Sequence, residues 1–254
     1  NQTGLFYPIL PDDFEKVTGA FSLVYQDGKL IYVDNVIDLK TGQLTTLFKN
    51  KTNGHTTSTI DGKGLVWLYN WGDHGLQTYD EGSNTLQRIR LPDILNANDL
   101  QINAMIWDDK SELIWMMTST EGIVVLNEEG RVAKIYSVAS TSPIRLPTNT
   151  IKAAYFEDRT LWVGHDKGLS KLNLDTDEIH NYSLAQSDDY EVVGILPDND
   201  DGLWLSTNRG ILKFEKNSSR ILRLPNDCII DDIEFNRESA FRNRDGKLYF
   251  GSTR

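Results

Sequence analysis

Four short polar segments of this 254-residue chain each end at a glycine: Asn70–His74 before Gly75, Ser119–Glu121 before Gly122, His165–Lys167 before Gly168 and Thr207–Arg209 before Gly210. The first is the outlier. It is two residues longer than its counterpart His165–Lys167 and sets Trp71 beside Asp73 and His74. An aromatic ring next to a carboxylate suits a sugar: the ring covers the apolar C–H face of a pyranose, and the carboxylate accepts from its hydroxyls. The competing expectation is a Trp71 packed beneath a neighbouring loop. His165, Asp166, Lys167, Asn208 and Arg209 complete the candidate binding set. Lys167 and Arg209 suit an acidic sugar as well as plain solvation.

The same inventory argues against other chemistry. Four scattered His and one Cys show no metal-ligand spacing, and no metal or other cofactor is expected. The lone Cys228 sits in the apolar Cys228-Ile229-Ile230 and reads as a buried structural thiol. Asp198–Gly202 superficially resembles a calcium loop but lacks the distal bidentate Glu, so it is taken as a turn. No nucleophile elbow, phosphate loop or zinc-protease motif occurs. With 37 acidic residues, no carboxylate pair stands out for glycoside cleavage. Binding is expected rather than catalysis. The net charge of −11 and the absence of a basic patch argue against nucleic acid and against an anionic membrane surface as partners. No apolar run approaches the roughly 20 residues of a membrane helix. No signal peptide is visible. The chain begins at Asn1 without Met and stops at Arg254 in mid-motif, which reads as an excerpt of a longer or processed protein.

What must position the polar segments is a repeat. Leu161-Trp162-Val163-Gly164 to Gly168-Leu169 recurs as Leu203-Trp204-Leu205-Ser206 to Gly210-Ile211, with further copies around Trp115 and Trp67 and weaker ones around Tyr32 and Tyr249. The anchoring aromatics Tyr32, Trp67, Trp115, Trp162, Trp204 and Tyr249 are spaced by 35, 48, 47, 42 and 45 residues. Each copy has an apolar run (Ile102–Trp107, Ile151–Phe156, Val192–Leu196), an acidic turn, the Trp strand, the polar segment, an alternating strand, a second turn and a last strand. Four short strands per roughly 45 residues select an all-β fold, a β-propeller of four-stranded blades. About six blades are expected, or part of a seven-bladed ring. The recurring Trp residues are expected between blades, Trp107 in the core, and the glycines at positive φ. Asp12–Val17 reads as a short helical turn. The blades are expected at about 20–58, 59–99, 100–147, 148–189, 190–228, and 229–254 completed by 1–12, all in one domain. In such a fold the polar segments and the connections between blades share one face. They then surround one mouth of the central channel, where binding residues on a rigid scaffold are expected.

The Trp162 and Trp204 phrases resemble the two-component regulator propeller repeat. So does the stretch Phe235-Asn236-Arg237-Glu238-Ser239-Ala240-Phe241 followed by Asp245-Gly246-Lys247-Leu248-Tyr249-Phe250-Gly251, which is similar to the end of the propeller region in periplasmic sensors of Bacteroidetes hybrid two-component systems. The likeness covers about residues 100–254 well and 20–100 loosely. It implies a periplasmic sensor segment, not itself an enzyme, that takes a small molecule or oligosaccharide and is joined to the membrane only through other segments. It also implies a ligand that favours one arrangement of a receptor dimer. A propeller lyase or hydrolase acting on glycans, and a protein-interaction platform, are the alternatives.

Overall fold

The computed structural model describes residues 35–47, 56–70, 75–92, 95, 100–184, 190–223, 234–242 and 246–252, and the backbone of 23–26 and 29–32. The expectations for Trp71, Asp73, His74, Cys228, the segment 12–17 and the contribution of 1–12 lie outside these residues.

Short runs rich in Val, Ile, Leu and Trp, cut by Asp, Asn and Gly, form 22 strands among the described residues. The first sheet holds β1 (Leu23–Gln26), β2 (Lys29–Tyr32), β3 (Asn35–Asp38) and β4 (Leu44–Thr46). The second holds β5 (Thr56–Ile60), β6 (Val66–Asn70), β7 (Gly75–Asp80) and β8 (Thr85–Arg88). The third holds β9 (Ile102–Asp108), β10 (Leu113–Thr118), β11 (Ile123–Leu126) and β12 (Val132–Tyr136). The fourth holds β13 (Ile151–Glu157), β14 (Thr160–His165), β15 (Gly168–Asn173) and β16 (Ile179–Tyr182). The fifth holds β17 (Val192–Pro197), β18 (Gly202–Thr207), β19 (Gly210–Glu215) and β20 (Arg220–Arg223). A sixth sheet pairs β21 (Phe235–Arg242) with β22 (Leu248–Ser252). Each four-stranded sheet is an antiparallel meander. The first strands β1, β5, β9, β13, β17 and β21 touch in succession. This is a β-propeller with its first strands innermost, and five full blades plus a two-stranded sheet agree with an expected count of about six.

The period of two along each second strand explains the packing between blades. In β14, Leu161 and Val163 join the cluster shared with the third blade, while Trp162 joins the cluster of the fifth. In β10, Ile114 and Met116 face the second blade and Trp115 the fourth. In β6, Val66 and Leu68 pack with Val36 of the first blade, and Trp67 with Ile102 and Met105 of the third. Each blade thus turns aliphatic residues to one neighbour and an indole to the other. Trp67, Trp115 and Trp162 are buried as expected. Trp107 is half-buried against the second–third cluster. Trp204 is also only half-buried, and Tyr249 in the sixth sheet is 52% exposed.

Near the axis the inner strands approach closely. A Cβ at Gly194 of β17 would stand 2.9 Å from Ala240 Cβ of β21, so only glycine admits this contact. At the polar segments, Gly168 and Gly210 have φ of 116° and 98°, the positive values expected of glycines there.

On the opposite face, acidic turns do two jobs. Asp61 Oδ1 accepts the backbone N–H groups of Lys63 and Leu65, each at 2.9 Å, and its Oδ2 accepts Trp67 Nε1 at 2.9 Å. Glu157 Oε2 accepts Trp162 Nε1 at 3.2 Å, and Asp198 accepts from Trp204. A carboxylate of the turn thus satisfies the indole of its own blade. The third blade is the exception: Trp115 Nε1 is buried and without a partner among the described residues. Ion pairs Lys63–Glu128, Lys110–Asp158, Lys134–Asp177 and Lys216–Glu157 join neighbouring blades along this face.

Candidate functional site

The loops between second and third strands share a face with the connections that lead into the next blade. Ser119 N–H donates to Gln101 O at 2.9 Å, Gly122 N–H to Asn149 O at 3.1 Å, and Asn208 N–H to Glu191 O at 3.2 Å. Lys167 Nζ reaches Pro147 O at 3.1 Å. This face is the channel mouth, as the strand order requires.

Around it, the inner strands share a defect. Residue Asn103 of β9 is skipped in the pairing with β10, Lys152 of β13 in the pairing with β14, and Val193 of β17 in the pairing with β18. A bulge leaves its extra residue out of the ladder and re-aims its side chain. In β21 the defect is larger. Phe235 pairs with Ser252 and Ala240 with Phe250, so the four residues 236–239 stand opposite Gly251 alone. The Ser239 hydroxyl, near Asn236 O at 2.6 Å and Gly251 O at 2.9 Å, fixes this large bulge.

These residues form a network. Asn103 Nδ2 donates to Ile151 O at 2.5 Å and to Ser119 Oγ at 2.9 Å. Asn103 Oδ1 accepts Arg237 Nη1 at 2.9 Å, which ties the third blade to the sixth sheet across the mouth. Lys152, buried at its base, pairs with Glu191, and Glu191 N–H donates to Asn208 Oδ1 at 3.0 Å. The Lys152–Glu191 pair therefore links the fourth and fifth blades, and Asn208 holds Glu191 within the fifth.

The other expected site residues divide. His165 is 1% exposed and turned into the blade. Its Nδ1 accepts from Lys167 N–H at 3.1 Å, so the proton sits on Nε2, which donates to Ser170 Oγ at 2.8 Å; Ser170 in turn donates to Asn181 Oδ1 at 2.6 Å. Burial, with a smaller contribution from Lys167, pushes its pKa down to about 4. It is a neutral strut of the loop. Asp166 is half-buried, and its Oδ1 is enclosed without a hydrogen-bond partner among the described residues. Lys167 and Arg209 are exposed. The Arg209 guanidinium lies 5.6 Å from the Tyr190 ring, and that of Arg223 lies 5.4 Å from it. The structure thus gathers Asp166, Lys167, Asn208 and Arg209 on one face around the fourth and fifth blades.

Asn103, Lys152, Glu191 and Arg237 were not among the residues singled out from the sequence. A signal existed: a polar residue directly after the first apolar residue of the inner strand, as in Ile102-Asn103, Ile151-Lys152 and Phe235-Asn236-Arg237. A groove of about 440 Å³ lies between the segment 142–147 and the outer strand β16, with Arg145 and Asn181 in its lining.

The chain matches no protein-family profile and no curated protein. It is similar in fold to solved structures. The extracellular domain of a hybrid two-component system of B. thetaiotaomicron aligns with 92% of this chain at 19% identity and a TM-score of 0.70. The extracellular domain of a one-component system of the same organism aligns with 97% at 17% identity and a TM-score of 0.73. The chain spans only 32% and 33% of the lengths of those two. Virginiamycin B lyase of Staphylococcus aureus aligns with 92% at 14% identity and a TM-score of 0.60, and 84% of its own length is covered. These likenesses establish the propeller fold.

Proposed function

We propose that this chain is the ligand-sensing propeller of a two-component receptor, placed in the periplasm, and that it takes an oligosaccharide at the channel mouth. The observation that carries this reading is the inner-strand bulge. It recurs on this face in successive blades but carries a different side chain each time: the buried Asn103, Lys152 and Val193, and the segment holding the half-buried Arg237. A purely architectural position in a repeat has no reason to vary in this way. The enclosed, unpartnered Oδ1 of Asp166 adds an acceptor of the kind a sugar hydroxyl satisfies. The similarity to extracellular domains of signalling proteins supports the placement. From the sequence alone, Trp71, Asp73 and His74 are kept as further candidates for this site. Signalling would follow from a ligand that favours one arrangement of a receptor dimer.

Calorimetry of the chain against a panel of neutral and acidic oligosaccharides tests the proposal. Saturable binding without turnover supports it. Release of products from the same panel would move the chain to the glycan-cleaving enzymes. Silence across the panel would overturn the sensing role and leave a protein-interaction platform.

A further inference from the structure

Arg237 differs from every other cation described at the mouth. Lys152 is neutralised by Glu191. Lys167 and Arg209 are exposed on the rim. Arg237 is half-buried, and it is carried inward by the four-residue bulge of β21 rather than by a loop tip. Its partner in the structure is a neutral oxygen, Asn103 Oδ1, on the third blade, with the fourth and fifth blades between the two in chain order. Among the described residues no carboxylate lies within ion-pair distance of it. One of its five N–H donors is used by Asn103. Asn103 is itself pinned by Ile151 O and Ser119, so it cannot turn to meet more of the guanidinium. In a chain of net charge −11, a partly enclosed cation without a counter-charge is a costly arrangement unless an anion completes it.

We propose that Arg237 is the anion-reading residue of the mouth, and that the ligand is an acidic oligosaccharide whose carboxylate or sulfate group sits on this guanidinium. The inference rests on the reading of the mouth as the ligand site. The planar fork of arginine matches two oxygens of either group at once, and its charge is fixed at every working pH. The surrounding groups suit the rest of such a ligand. Asp166 Oδ1 accepts from a hydroxyl, while the Lys152–Glu191 pair is self-compensated and imposes no net charge. The bulge supplies rigidity, since Ser239 ties both of its sides and Ala240 is locked against Gly194.

The test is calorimetry with size-matched pairs: tetragalacturonate against its methyl ester, and a sulfated galactan tetrasaccharide against its desulfated form. In one pair the charged member should bind at least about tenfold more tightly than the uncharged one, as expected for a hydrogen-bonded charge pair away from bulk water. The pair that responds distinguishes carboxylate from sulfate. Arg237→Met should erase the ratio, and Arg237→Lys should reduce it, because a point charge cannot make the two-pronged contact. Should Arg237→Met fail to fold, the near-isosteric Asn103→Asp serves instead. It gives Arg237 an internal carboxylate, which should compete with the ligand and lower the same ratio. Equal binding of charged and uncharged members, or a ratio unchanged by Arg237→Met and Asn103→Asp, overturns the proposal while leaving oligosaccharide sensing in place. Absence of binding to all four probes overturns both.

Discussion

On the underside of the propeller, Asp61, Asp108, Glu157 and Asp198 occupy one place in four successive blades, and three of them accept a tryptophan indole from their own blade. At the mouth, the corresponding place in successive inner strands holds Asn103, Lys152, Val193 and the bulge with Arg237. The two regions are built on the same strands about five residues apart. Apart from Trp115 Nε1 in the third blade, the underside groups complete one another, turn by turn and blade to blade. The mouth groups leave valences open, as at Asp166 Oδ1 and the Arg237 guanidinium. Sameness across a repeat marks what the fold needs. Difference at a repeated place marks what the fold leaves free for a ligand.

The sharpest way to break this contrast is to compare truncations on the two sides. Trp162→Ala removes an indole that packs on Tyr182 and Phe214, and should cost about 3–5 kcal/mol in urea unfolding. A comparable loss from a mouth residue such as Val193→Ala would erase the distinction.

His165 sharpens it next, because sequence position assigns it to the mouth and bonding assigns it to the blade. Its pKa is about 4 folded against 6.5 unfolded, so the unfolded chain takes the proton more readily. The stability held by the neutral ring is complete above pH 6.5 and is lost as the pH falls towards 4, by about 3 kcal/mol. Urea midpoints measured across that window should decline, and His165→Gln should flatten the His165 part of the decline. An identical slope in the variant would return His165 to the mouth.

Trp67→Phe and Trp115→Phe form a smaller, paired test. The first strands the buried Asp61 carboxylate and should cost about 1–3 kcal/mol. The second removes an indole N–H that has no described partner and should cost less. Equal losses would show that the carboxylate caps are incidental. At the small end, Lys110→Ala breaks an exposed pair with Asp158, and the unfolding midpoint should stay within error at any salt concentration.

Much of the scaffold was legible in the sequence. The Trp at a fixed place in each copy, the glycine that closes each polar segment and the acidic turns mark strands that the structure places as read. Trp204 departs from its copies because burial depends on what stands beside a blade, which the blade's own residues do not encode. The site was less legible. His165 reads as a polar loop residue, yet it keeps the phase of Leu161 and Val163 along β14, and that phase points it inward. Asn103 and Lys152 sit inside apolar runs, where composition suggests a continuous strand, and Arg237 sits in the polar stretch 236–239 between Phe235 and Ala240. Only the pairing register reveals the bulges that turn them to the mouth.

The alternation along the second strands has a consequence for how such a protein changes over generations. The second, third and fourth blades offer the same aliphatic surface to one side and the same large ring to the other, so one such blade fits beside another. A duplication or loss of one whole unit would leave all remaining contacts matched. Copy number is then free to drift, and the size of the circle falls to the narrow places near the axis, such as Gly194 against Ala240, that set how tightly successive units converge.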